Sequence, residues 1–281
     1  MKLVHKVEEC AVYESNKHAY APASDHPIKT YLLKISSSST LQNTFAVLSS
    51  VTKSIKYVYN HTPNSIQFKA QNVFPLKLFI EDMHSDLNMQ GKAYTLTLKL
   101  LADIGTQLQQ IRAQHNLIIP FLSLEDIIVI QTHDGVQGQN HKFDNTNKND
   151  EDKYEDSSNN KDDEFHFVFI NGEKFIQQSI KPGVADAELV VDVPLKVNKH
   201  TSFLPAELSE SALKRLPMRL TTTSWYYSLS ALCIYALLQH KFKNGEDDIE
   251  RIGRPFLHTS LYFCLKRCLK PDPEERVLLY V

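Results

Sequence analysis

The chain has 281 residues, 42% of them apolar and 10% aromatic, enough to bury a sizeable core as one two-lobed unit or two small domains. Its 31 basic and 33 acidic side chains nearly cancel, which argues against nucleic acid or another polyanion as a partner. Four cysteines and no apolar leader behind a basic flank lead us to expect a reducing compartment, the cytoplasm with the nucleus as the alternative.

In chain order, Thr30 to Ile35 (TYLLKI), Ser65 to Lys69 (SIQFK) and Pro75 to Ile80 (PLKLFI) read as strands, being rich in β-branched and aromatic residues. Between the first two, Phe45, Leu48, Val51 and Ile55 recur at spacings of three and four, which predicts an amphipathic helix over 41–59. Residues 1–80 therefore read as a small sheet-rich lobe with one helix. Residues 81–281 read as a larger, mainly helical lobe, and the whole as an α+β architecture. Leu96, Leu100, Ile104, Leu108 and Ile111 mark the buried face of its first long helix.

Ile127 to Gln131 (IIVIQ) and Phe165 to Ile170 (FHFVFI) then predict a β-hairpin followed by a turn at Asn171-Gly172. Its tip carries residues 144–164, which hold nine acidic and three basic side chains and no aliphatic one, so we expect a disordered surface insertion there. Trp225 to Leu238 is apolar nearly all round and predicts a helix buried at a domain centre. Its most apolar run, Ser228 to Leu238, is shorter than the roughly 20 residues a membrane span needs, so no membrane is expected. Ser260 to Leu269 predicts a last helix; Cys264 and Cys268, one turn apart on it, read as buried thiols, with no complementary pair to complete a metal site.

Several stretches resemble protein-kinase landmarks in the family's order. Phe79-Ile80-Glu81-Asp82-Met83, followed by Asp86-Leu87, is similar to the hinge between lobes, with Ile80 as gatekeeper. Ile119 to Ile127 (IPFLSLEDI) resembles the catalytic loop H-R-D-L-K-P-E-N-I. Phe203 to Leu208 (FLPAEL) resembles the Ala-Pro-Glu signature, and Tyr227-Ser228-Leu229 the start of the buried central helix. Leu265 to Arg276 (LKRCLKPDPEER) is similar to the closing L-x-x-C-L-x-x-D-P-x-x-R.

That resemblance implies a two-lobed kinase-like fold with degenerate chemistry. Catalysis by a kinase needs a glycine-rich loop, a lysine–glutamate pair, a catalytic Asp and metal ligands. Here no glycine precedes Gly91, so nothing supplies the phosphate loop. Lys34 matches the nucleotide-contacting lysine, yet no glutamate stands between Glu14 and Glu81 to pair with it, and an ordinary strand-end lysine is an equal reading. Ile119, Pro120 and Phe121 fall where the family has His, Arg and Asp, and a phenylalanine cannot act as base. Asp126 replaces the metal-binding asparagine; it is a ligand for Mg²⁺ or a loop cap, the latter being commoner. Asn171 stands where the metal-binding aspartate belongs, and Trp225 where an aspartate braces the catalytic loop. Glu207 and Arg276 match the family's buried ion pair.

The function this implies is that of a pseudokinase: a scaffold or allosteric regulator with a protein partner, an active kinase among the candidates, no required cofactor, and weak ATP binding left open. The alternatives are an enzyme using the fold for a different transfer and a noncatalytic kinase-lobe module. For the former, His115, His133 and His166 are the nearby histidines, without a cluster of acids around them.

Overall fold

The computed structural model describes residues 1–15, 28–36, 57–60, 64–132, 164–177, 189–191, 194–208 and 216–278. Most of the helix expected over 41–59 and of the acidic segment 144–164 lies outside these residues. At their C-terminal ends both expectations need correction: residues 57–60 are a strand, and Glu164 already pairs with Thr132.

The small lobe is a five-stranded antiparallel sheet of β1 (Lys2–Val7), β2 (Cys10–Glu14), β3 (Lys29–Ile35), β4 (Tyr57–Asn60) and β5 (Ser65–Ala70), in the order β1-β2-β3-β5-β4. Along β3, Tyr31, Leu33 and Ile35 alternate inward while Thr30, Leu32 and Lys34 face the other way, as the strand period of two requires. Tyr31 stacks on its cross-strand neighbour Phe68, ring centroids 5.7 Å apart. This inner face packs on Ile128, Ile130, Val168 and Ile170, so the small core borrows side chains from the hairpin that follows.

The chain crosses into the large lobe through β6 (Asn72–Pro75), which pairs antiparallel with β9 (Ile127–Thr132). Pro75 ends that strand and begins α1 (Leu76–Ser85). The sequence reading of Pro75 to Ile80 as a strand is therefore corrected. Adjacent Phe79 and Ile80 are both buried, which a half-buried strand does not allow, and with Leu76 and Met83 they complete a helical stripe. A short apolar run carries no period of its own; only its continuation to Met83 distinguishes the two. The hinge reading of Phe79 to Met83 goes with it, and so does the gatekeeper role of Ile80, which sits in the large core. That core begins at Leu76, whereas Val73 still belongs to the small one.

After α2 (Leu87–Gln90), α3 (Ala93–His115) buries Leu96, Leu100, Ile104, Leu108 and Ile111, the stripe read from sequence, and ends at Asn116, whose φ of 53° forms a left-handed cap. The side-chain amide of Gln107 in α3 acts as an extra peptide group for β10 (Glu164–Phe169): Nε2 donates to Phe167 O at 2.7 Å and Oε1 accepts from Phe169 N at 3.0 Å. The short strands β7 (Leu117–Ile118) and β8 (Leu122–Ser123) pair with β11 (Ile176–Gln177) and β13 (Ser202–Phe203); β12 (Leu189–Val191) pairs with β14 (Met218–Leu220). Helix α4 (Ser224–Leu238) is buried over most of its surface at the lobe centre. The short α5 (Ile249–Ile252) and α6 (Ser260–Cys268) follow, the latter capped by the Thr259 hydroxyl. All four cysteines are buried thiols, and no described helix is long and apolar enough to cross a membrane.

The helical reading of α1 is tested by three truncations. Phe79→Ala, which removes a ring contacting Phe74, Phe165 and Phe167, and Ile80→Ala should each lower stability by about 2–5 kcal/mol. Leu78→Ala, half exposed, should stay within about 0.5 kcal/mol of the parent. Urea denaturation distinguishes this adjacent-pair pattern from the alternating one of a strand.

Candidate functional site

The hairpin β9/β10 sets the geometry of the cleft. Ile127 pairs with Phe169, so Asp126, just before β9, and Asn171, just after β10, meet at the same end of the hairpin. Asp126 is 1% exposed and closes the tight turn Leu124–Asp126, its Oδ2 accepting the Ser123 N–H at 2.7 Å. The loop cap envisaged from sequence is thus present. Asn171 Nδ2 donates to Oδ1 of the same carboxylate at 2.8 Å.

The third partner was not picked out from sequence. Lys174 Nζ donates to Asp126 Oδ2 at 2.6 Å and to Ser123 Oγ at 2.7 Å, and lies 4.3 Å from the centroid of the Phe121 ring. Burial pushes the Asp126 carboxyl above the usual carboxylate range, opposed by Lys174, the Asn171 amide and the Ser123 N–H. No local spacing announces this pair, because 48 residues separate its members.

Ile119, Pro120 and Phe121 are buried, and Ile119 and Phe121 belong to the large core. Phe121 is therefore a core side chain under the Lys174 ammonium. Next to it, β8 is covered by β13, and Ser123 Oγ meets Ser202 Oγ at 2.8 Å. Trp225 stands buried at the position where the resemblance calls for a bracing aspartate. The bracing itself comes from Ser228, missed in the sequence: its Oγ accepts the Leu122 N–H at 2.6 Å and donates to Phe203 O at 2.6 Å.

The tip of β1 and β2 closes over this floor. His5 Nε2 bonds Glu125 O at 2.7 Å, and at the turn Glu8 takes a φ of 45°, uncommon for a residue with a Cβ. Glu8 and Glu9 occupy the turn where a phosphate loop would need glycines. The Glu173 carboxyl is pushed up to about 7, first by the hydrogen bond it shares with Glu8, then by burial and the charges of Glu8 and Glu9, against the pull of Lys196. Beneath lies a cavity of about 370 Å³ lined by Lys6, Glu8, Asp126, Asn171, Lys174 and Lys196, among others.

These residues do not fit a metal–nucleotide complex. Mg²⁺ requires near-octahedral oxygen ligation at close range, whereas the buried carboxylate here is already engaged by an ammonium at 2.6 Å. Of the lysines lining the cavity, Lys174 is already paired with Asp126, and the carboxylates of Glu8, Glu125 and Asp126 line it as well. Lys34, the nucleotide-contacting candidate, is not brought to the cluster either. It lies on the sheet face opposite Leu33 and Ile35, with its ammonium 5.3 Å from the Tyr13 ring centroid.

Away from the cleft, Glu207 and Arg276 meet as a fork: Nη1 to Oε1 and Nη2 to Oε2, both at 2.8 Å. The Arg276 side chain is fully buried and that of Glu207 is 17% exposed. Arg276 also donates to Lys270 O and Pro271 O and lies over the Tyr227 ring, while Ser224 Oγ donates to Glu207 Oε1 at 2.6 Å. One ion pair so ties the turn Ala206–Leu208, the start of α4 and the segment after α6.

No known protein-family profile matches the sequence. A search of curated proteins finds no match either. Among solved structures, the chain is similar to a rhoptry kinase from Toxoplasma gondii, with a TM-score of 0.50 at 12% identity over 99% of this chain and 73% of that one. It is also similar to a point mutant of the PknI kinase domain of Mycobacterium tuberculosis, with a TM-score of 0.45 at 11% identity over 98% and 88% of the two chains. The likeness to the rhoptry kinase carries the assignment: the chain has the two-lobed protein-kinase fold.

Two measurements probe this geometry. Glu207→Ala or Arg276→Ala each leaves a charge without its partner and should cost about 3–5 kcal/mol, and the double variant much less than the sum; additive, small losses in urea denaturation would refute the coupling. Glu173 holds its proton more tightly folded, at about 7, than at its ordinary 4.5, so the native state binds more protons between those values and stability should fall as pH rises through that window. Glu173→Gln should flatten this fall between pH 5 and 8, and a profile parallel to the parent's would show that Glu173 is not its source.

Proposed function

We propose that this chain uses the protein-kinase fold without phosphotransfer chemistry, as a pseudokinase that acts by binding protein partners, an active kinase being one candidate. The observation that carries the reading is the state of the cleft floor. The side chain at the general-base position, Phe121, is 1% exposed in the large core, and the buried carboxylate, Asp126, already has an ammonium for its counter-charge. A general base must reach the proton it abstracts, and phosphoryl transfer relies on cations to offset the charge of the transferring group. At the two positions the resemblance assigns to these roles, Phe121 offers no base and Asp126 is already neutralised, which supports the reading.

What remains supports binding. The Glu207–Arg276 fork ties segments of the large lobe away from the cleft, and the Ser228 bridge fastens Leu122, beside the cleft floor, to Phe203. Partner surfaces presented by such a body need no nucleotide to be ordered. The four buried thiols, none of them in a disulfide, favour a reducing compartment as the place of action.

The test has two arms. Incubated with labelled Mg-ATP and a generic protein substrate, the purified chain should incorporate no more phosphate than a heat-denatured control; incorporation by the native chain alone would overturn the reading. Millimolar Mg-ATP should leave the melting temperature unchanged, whereas a ligand at about 100 times its Kd adds about 2.7 kcal/mol and would raise it by several degrees.

A further inference from the structure

We propose that Lys174 is a tethered counter-ion that takes the place of a divalent cation in the cleft and fastens the loop before β9 to the segment after β10. The proposal rests on the reading of the cleft as chemically silent and says what maintains that silence.

Charge counting comes first. The oxygen groups gathered around the Lys174 ammonium are the Asp126 carboxylate and the Ser123 hydroxyl, with the Asn171 amide turned to the carboxylate through its Nδ2, so one negative charge stands beside two neutral groups. A single ammonium brings that set to zero where Asp126 is 1% exposed. The aromatic face of Phe121, 4.3 Å from Nζ, offers the ammonium a further favourable contact.

The donor set is nevertheless of the kind a hard cation uses, namely carboxylate and hydroxyl oxygens. Among the described residues the neighbouring Asn171 Oδ1 is buried with no hydrogen-bond partner, so an acceptor beside the set is open to an ion. What prevents this is occupancy: Lys174 Nζ sits 2.6 Å from Asp126 Oδ2 and 2.7 Å from Ser123 Oγ, with its side chain only 11% exposed. Lysine suits the task because a compact charge on a four-carbon stem can be delivered from outside the cluster. Here the stem starts in the turn Gly172–Lys174, directly after Asn171.

The experiment therefore removes the tether from the full chain. Mn²⁺ is titrated against the parent, Lys174→Ala and Asp126→Asn/Lys174→Ala, and the free ion is followed by paramagnetic resonance; ions held elsewhere on the surface cancel in the difference between the two variants. The parent should hold no more Mn²⁺ than the double variant. Lys174→Ala should hold one more ion per chain, and at about 100 times its Kd that ion should raise its melting temperature by roughly 5–10 °C. Equal Mn²⁺ uptake by Lys174→Ala and the double variant would overturn the proposal, as would extra uptake by the parent that Asp126→Asn abolishes. If Lys174→Ala does not fold, the double variant decides: its recovery identifies Asp126 as the group the ammonium neutralises, and its failure means that Lys174 is kept for another reason and the proposal falls. Phosphate incorporation by the parent would instead sink the silent-cleft reading, a separate result.

Discussion

A charge taken out of water must find its opposite, and in this molecule that constraint decides the arrangement of both the cleft and the large lobe. Asp126 is almost fully buried, and an isolated carboxylate there would cost several kcal/mol even after relaxation. It is tolerated because the Lys174 ammonium, the Asn171 amide and the Ser123 N–H converge on its two oxygens. That convergence needs the hairpin register, since only the pairing of Ile127 with Phe169 brings the residues before β9 and after β10 to one end. The register in turn depends on Ile128, Ile130, Val168 and Ile170 filling the small core while Val129, Phe167 and Phe169 fill the large one. A slip of one residue would exchange the two sets.

The same solution recurs at Glu207 and Arg276, with a different balance. The guanidinium is fully buried and donates to two backbone carbonyls besides the carboxylate, so most of its fork is hydrogen-bonded. Ser228 does for the backbone what the fork does for charge. One hydroxyl accepts from Leu122 and donates to Phe203, joining two chain segments that α4 alone would not hold. A serine can replace a bracing carboxylate here because the groups to be satisfied are one N–H and one C=O, which a hydroxyl matches as donor and acceptor. Trp225, at the position where the resemblance calls for the aspartate, is then free to add apolar bulk to the core.

Legibility in the sequence followed the range of the interaction. Long periodic segments declared themselves: the stripe from Leu96 to Ile111 and the apolar stretch from Trp225 to Leu238 are helices with the expected faces buried. The hairpin strands were equally plain. The run Pro75 to Ile80 was not, because six apolar-rich residues fit either period and the next turn of the helix settles which. Strand β1 escaped attention since its residues are mostly exposed and show no alternation. Glu207 and Arg276 could be paired in advance only because each came inside a motif with a known partner. Lys174 came in no motif, and sequence alone does not say which of many lysines will reach across to a carboxylate 48 residues away.

The cleft and the frame meet at β8, where Ser228 fastens Leu122 and the next residue, Ser123, belongs to the Asp126 cluster. Glu207, Ser224 and Arg276 bond one another away from the Asp126 cluster. Within the cleft, the resemblance calls for an amide before β9 and a carboxylate after β10, and the chain has the reverse, Asp126 and Asn171. The exchange keeps one of each, and in this chain the two side chains hydrogen-bond at 2.8 Å. It also moves the negative charge to a site within reach of Lys174. With Lys174 beside it, Asp126 carries its own counter-charge, and among the described residues the hairpin, the His5 contact and the two cores join the lobes.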